Sequence, residues 1–124
     1  MTASERRFAF IGFGNVARTF ARILEDRRDQ LASDYSLRWR TLGVATSKHG
    51  CITAANNIDL LTAVSHVESG HSLADLPDTR SHDDPLQVIE QSGADVVFET
   101  VPLNPADGQP AIDYIPLINA SVAG

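Results

Sequence analysis

A chain of 124 residues is long enough for one domain with a core and too short for a second substrate domain; its 43% apolar and 21% charged residues suit an ordinary soluble globular protein. A net charge of −6 argues against the basic surface that nucleic acid demands, and no run approaches the roughly 18 apolar residues of a membrane span. Met1 to Arg7 lead directly into a strand-like segment instead of a secretory apolar region, and the single cysteine, Cys51, can form no internal disulfide, which together predict a cytoplasmic location.

Phe8 to Ile11 form a short apolar run ending at Gly12, the pattern of a parallel strand buried on both faces. From Asn15, the residues Val16, Phe20, Ile23, Leu24 and Leu31 recur near helical spacing, with Arg18, Arg22, Glu25, Arg28 and Asp29 on the other side, which predicts an amphipathic helix laid on a sheet. Ser33 to Ser36 end it, and Leu37 to Thr46 read as a second strand. Periodicity is weak from 47 to 83, where a helix near Ile58 to Val67 and a loop closing at Pro77 are expected. Asp84 and Pro85 cap and open a further helix that Gly93 ends, and Ala94 to Phe98 give another strand. Beyond the polar PLNPADGQP segment, Ala111, Ile112, Ile115, Leu117 and Ile118 resume helical spacing around Pro116.

Chemistry is announced at Gly12-Phe13-Gly14-Asn15-Val16-Ala17, a G-x-G-x-x-G/A pattern placed between strand and helix. Gly12 permits the tight turn, Gly14 leaves room for a pyrophosphate, and Ala17 lets the helix lie close to the strand; the free N–H groups and dipole of the helix start then face the phosphates. A methyltransferase or a flavin-type fold would share such a glycine loop. The second strand narrows the choice. It ends Ala45-Thr46-Ser47-Lys48, with no acid between Tyr35 and Ile58 to accept from ribose hydroxyls, and hydroxyls with a lysine suit a 2′-phosphate. NADP is therefore expected over NAD, while Lys48 and Arg40 also have the alternative of being solvated surface charges.

Other clusters carry less. His49, His66, His71 and His82 lack zinc spacing and are expected as solvated loop residues. Asp95 and Glu99 fall at opposite ends of one strand, about 13 Å apart, so they cannot share a proton, and Glu99 is expected to orient a loop instead of acting as a base. Cys51 reads as a small buried or loop residue, and Trp39 as a strand residue facing a helix.

Three segments, FIGFGNVARTFARIL, LRWRTLGVATSKHG and ADVVFETVPLNPADGQPAIDYI, resemble in order and spacing the N-terminal domain of homoserine dehydrogenases, with V-F-E-T-x-P-L-N-P at Val97 to Pro105 the most specific stretch. The resemblance spans roughly Arg7 to Ile118. It implies NAD(P)-dependent hydride transfer between aspartate semialdehyde and homoserine, in threonine and methionine biosynthesis. Gly12, Phe13, Gly14, Asn15 and Val16 match the phosphate turn, Thr46, Ser47 and Lys48 the adenosine-ribose end, and Thr100, Val101 and Pro102 the loop beside the nicotinamide ribose. Family members continue into a strand, a Thr-Ala-Asn-Lys turn with an active-site lysine, and a substrate and dimerisation domain, none of which has a counterpart in these residues.

The expected fold is thus an α/β, Rossmann-type doubly wound parallel sheet, incomplete at its C-terminal side, with residues 1–124 forming one truncated NAD(P)-binding domain. The strand near Ala94 should lie beside the first, leaving an unpaired edge that invites self-association or completion by a missing C-terminal half. Two functional readings follow: an oxidoreductase fragment that binds the dinucleotide and is inactive by itself, or a non-catalytic nucleotide-binding or sensing module.

Overall fold

A computed structural model describes residues 5–100 as five strands and four α-helices. The helix expected around Ala111 to Ile118 and the site candidates Val101 and Pro102 lie outside the described residues. β1 (Glu5–Ile11), β2 (Arg38–Ala45), β3 (Cys51–Ala54), β4 (Thr79–His82) and β5 (Val96–Glu99) form one sheet in the order β4-β3-β2-β1-β5. β2 and β5 flank β1, both parallel to it, so the winding reverses at β1, as expected for the strand near Ala94. The sheet is not wholly parallel, however. β3 runs antiparallel to both β2 and β4, because only the five residues 46–50 separate it from β2, too few for a parallel crossover.

Alternation along β1 sends Phe8 and Phe10 to one face and Ile11 to the other, each buried. The first face carries α1 (Asn15–Asp26) and α3 (Leu60–Glu68), packed through Ala17, Ala21, Leu24, Ala63, Val64 and Val67. The opposite face carries α4 (Pro85–Ser92), with Val88 and Ile89 against Ile11, Ala45 and Cys51. Asp84 caps α4 by accepting from Gln87 N, Pro85 opens it and Gly93 closes it at φ 69°, as the sequence predicts.

The expected apolar stripe of the first helix is corrected. Ala17, Ala21 and Leu24 face the sheet, whereas Val16, Phe20 and Ile23 are exposed. Small alanines let the helix approach the sheet closely, and that approach leaves Val16 and Ile23 outward, while Phe20 at the margin still sets its ring 5.0 Å from that of Phe98 and Leu24 stays buried as expected. The helix also breaks at Arg27, after which α2 (Arg28–Tyr35) turns so that the Arg28 guanidinium stacks 4.0 Å over the buried Trp39 ring and donates to Trp39 O. Trp39 thus faces a helix, as expected, with the Arg28 cation over its ring.

Two local devices set the positions of the strands. A bulge at Leu42 shifts the β1–β2 register, Phe8 pairing with Thr41 and Ala9 with Gly43. Gly43 then lies under α4 so closely that a Cβ there would stand 2.6 Å from Val88 Cγ1 and 3.1 Å from Ser92 Cβ. Asp95, just before β5, clamps that strand's start. Its N–H donates to Arg7 O, and its carboxylate accepts from Arg7 N, Nε and Nη2. No helix among the described residues is long and apolar enough to cross a membrane.

Gly43→Val should lower unfolding free energy by about 1–3 kcal/mol, since α4 must lift or Val88 leave its rotamer; a urea midpoint equal to wild type would contradict this. Acid should also loosen the fold. Hydrogen bonds from Arg7 hold Asp95 below the usual carboxylate range, and hydrogen bonds from Arg22 do the same for Glu68. A folded-state value lowered in this way gives stability that is present above the unfolded carboxylate value of about 4 and is lost as pH falls through the folded one. Below about pH 4 the urea midpoint should therefore fall, and Asp95→Asn should flatten that dependence while lowering the midpoint at neutral pH.

Candidate functional site at the carboxyl edge

The carboxyl ends of β1, β2 and β5 meet around the glycine turn. Gly12 at φ 91° leaves β1 in a left-handed conformation that a side chain would strain, and its N–H donates to Ala45 O at 3.0 Å, stitching the turn to the end of β2. On the other flank Thr100 N donates to Ile11 O at 2.8 Å, and Thr100 Oγ1 donates to Gly12 O at 3.1 Å. Gly12 and Thr100 thus lie side by side between β1 and β5, where the strand order reverses and where open α/β sheets bind their ligands.

Past Gly12, Phe13 turns its side chain into the core against Phe10, with ring centroids 5.9 Å apart, so only its backbone is available at the turn. Gly14 is the N-cap of α1 and brings no side chain to the free amides; the first turn carries no acid. Among the described residues, a Cβ built on Gly14 meets nothing within 4 Å, so they leave the space above the helix start open. Asn15 and Val16 follow on the first turn, both exposed. With its N–H groups uncapped, this helix start presents partial positive charge to an anion.

The β2–β3 hairpin forms the other wall. Thr46 Oγ1 donates to Gly50 O and accepts from His49 N, both at 2.7 Å, so its hydroxyl is committed to holding the turn. Ser47 and Lys48 occupy the exposed tip of that turn. Arg40, by contrast, pairs with Glu5 at 2.7 Å in the amino half of the sheet, away from this edge. Gly12, Gly14, Asn15, Val16, Thr46 and Thr100 are therefore brought to one edge by direct bonding or chain adjacency, with Ser47 and Lys48 on the neighbouring hairpin.

Arg18, which the sequence pattern assigns to the solvent side of the helix, has only 16% of its side chain exposed. It bonds the turn itself, donating from Nη1 to Phe13 O at 2.9 Å and from Nη2 to Asn15 Oδ1. The available signal was its position three residues after Asn15, within reach of a long side chain that leans toward the helix start.

Two of the histidines expected in solvated loops are structured and half-buried. His66 closes α3 with Nδ1 3.1 Å from Thr62 O, and His82 in β4 sits 2.7 Å from Thr53 Oγ1. Among the described residues no three His, Cys, Asp or Glu side chains gather as a metal site. Cys51 is buried at the start of β3, and that burial pushes its thiol pKa up, the opposite of nucleophile activation. A cleft of about 590 Å³ lined by Asn56, Asn57, Asp59, Thr62, Leu76 and Asp78 is separate from the glycine turn, on the side where Asn57 Oδ1 bonds Thr41 N in the amino half of β2.

No family model matches the chain. It is 27% identical over 111 residues to the NAD(+)-dependent homoserine dehydrogenase of Pseudomonas canavaninivorans, covering 90% of this chain and 32% of that protein. It is 29% identical over 105 residues to the homoserine dehydrogenase of Methanocaldococcus jannaschii, covering 85% of this chain and 31% of that protein. Among solved structures, homoserine dehydrogenase from Thermoplasma acidophilum matches with a TM-score of 0.73 at 19% identity, over 96% of this chain and 33% of that one. A hyperthermophilic archaeal homoserine dehydrogenase in complex with NADPH matches with a TM-score of 0.66 at 16% identity, over 97% of this chain and 41% of that one. The chain thus spans about a third of the length of the curated relatives it matches. Over most of its own length this chain is thus similar in sequence to proteins named homoserine dehydrogenase, and it shares the fold of part of the solved homoserine dehydrogenases.

Proposed function

We propose that residues 1–124 form a dinucleotide-binding domain of a homoserine dehydrogenase-like oxidoreductase, with NADP the preferred cofactor. The observation that carries this reading is the open space over Gly14 at an uncapped helix start, framed by the carboxyl ends of β1, β2 and β5. The residues present fit a dinucleotide. Backbone N–H groups from Gly14 to Val16 would hold the pyrophosphate, the Thr46–Lys48 hairpin the adenosine ribose with its 2′-phosphate, and Thr100 with Val101 and Pro102 the nicotinamide ribose. When bound, the nicotinamide supplies or accepts the hydride.

The preference for NADP rests on charge. Lys48 is exposed on the hairpin tip and no carboxylate stands within residues 36–57, so the hairpin itself offers a 2′-phosphate a cation and no acid. One of the solved neighbours is an NADPH complex, while one curated relative is named NAD(+)-dependent. Reduction of aspartate semialdehyde to homoserine also needs the carbonyl held in near-attack geometry and a proton donor for its oxygen. In the family those tasks fall to residues beyond the matched third, so these 124 residues are proposed to bind the dinucleotide without turning the substrate over.

Titration by NADPH fluorescence tests the reading. The 124-residue chain should bind NADPH, and Gly14→Val should weaken binding about tenfold to a hundredfold by filling the pyrophosphate space. Its thermal midpoint should stay near wild type, because a Cβ at this position meets no atom of the described residues within 4 Å. Equal NADPH affinity in the two proteins would overturn the site. Lys48→Glu should weaken NADPH about tenfold and leave NADH within about twofold; equal losses for both would refute the 2′-phosphate assignment.

A further inference from the structure

Resting on the dinucleotide reading of the glycine turn, we infer that Arg18 is a positioning residue: its guanidinium holds the turn open for phosphate and ties it to α3 through Glu68. The side chain makes three directed bonds. Nη1 donates to Phe13 O at 2.9 Å, Nη2 donates to Asn15 Oδ1, and Nε donates to Glu68 Oε2 at 3.3 Å. The planar fork of an arginine can span a backbone carbonyl, an amide and a carboxylate at once, and a lysine cannot.

Each bond has a consequence at the turn. Phe13 lies between the two glycines, where the backbone has most freedom; fixing its carbonyl limits the orientations available to the next peptide and to the Gly14 N–H. The Asn15 carboxamide oxygen, on the first residue of α1, accepts from Arg18, and no side chain caps the helix amides. Glu68, at the last residue of α3, accepts from both Arg18 and Arg22 of α1, so two cations share one anion. The cluster keeps a net positive charge beside a helix start that already favours anions. It also fixes α1 against α3 at the end nearest the turn.

Amide hydrogen exchange and NADPH titration on the full chain test this together. Arg18→Gln should raise exchange at residues 12–17 and weaken NADPH about tenfold or more, with Arg18→Lys restoring little of either. Arg22→Gln removes a tie between the same two helices without touching the turn, and should leave turn exchange and NADPH affinity within about twofold. Equal effects of the Arg18 and Arg22 substitutions would reduce Arg18 to a helix–helix tie and overturn the inference. So would unchanged exchange at residues 12–17 in Arg18→Gln. Should the wild-type chain fail to bind NADPH, the functional reading falls, while the exchange comparison still decides whether Arg18 shapes the turn.

Discussion

The structure depends on β5 being fastened to β1 at both of its ends. Asp95 clamps the start through its own N–H and a carboxylate shared with Arg7, and Thr100 clamps the finish through bonds to Ile11 O and Gly12 O. Between these clamps the parallel pairing from Phe8–Val96 to Ile11–Glu99 fixes the register. A slip of one residue would turn Phe98 out of its ring cluster with Phe8 and Phe10 and move Thr100 off the glycine turn. Architecture and site therefore share one constraint.

From that constraint the two faces acquire different work. The face bearing α1 and α3 is filled with aromatic and branched side chains, and its helices are tied by Arg18, Arg22 and Glu68 beside the turn. The face bearing α4 is built from smaller residues, with Gly43 admitting the helix and Ala9 and Ala45 on the same face. Both arrangements bring a helix near the sheet through small residues. On the first face this closeness aims a helix N-terminus at the carboxyl edge of the sheet, and on the second it carries the chain across from β4 to β5.

The short β2–β3 hairpin has its own effect on the site. Holding the turn with Thr46 Oγ1 leaves Ser47 and Lys48 as its exposed tip beside the carboxyl edge. A longer crossover to a parallel strand would have carried those residues elsewhere. The antiparallel β3 thereby places the proposed cofactor-discriminating residues and covers the edge of β2 that faces away from β1, leaving β4 as a polar edge strand.

What the sequence determined by itself was local: a four-residue apolar run into Gly12, the G-x-G-x-x-A spacing, the Asp84–Pro85 start and Gly93 stop of α4, and the missing acid after β2. Each is legible because a few adjacent residues meet a backbone or steric requirement without help from the rest of the chain. β3 and β4 were not legible, since four-residue strands have too little periodicity, and their places come from pairing with β2 and with each other. Beyond Ala17, which the motif places against the strand, the rotation of α1 was not legible either, because hydrophobicity alone favoured Val16 and Ile23 for the core and only close packing on the sheet selected Ala21. Arg18 illustrates the same limit: a charge on a helix is assigned to solvent until the folded chain supplies a carbonyl, an amide and a carboxylate within its reach.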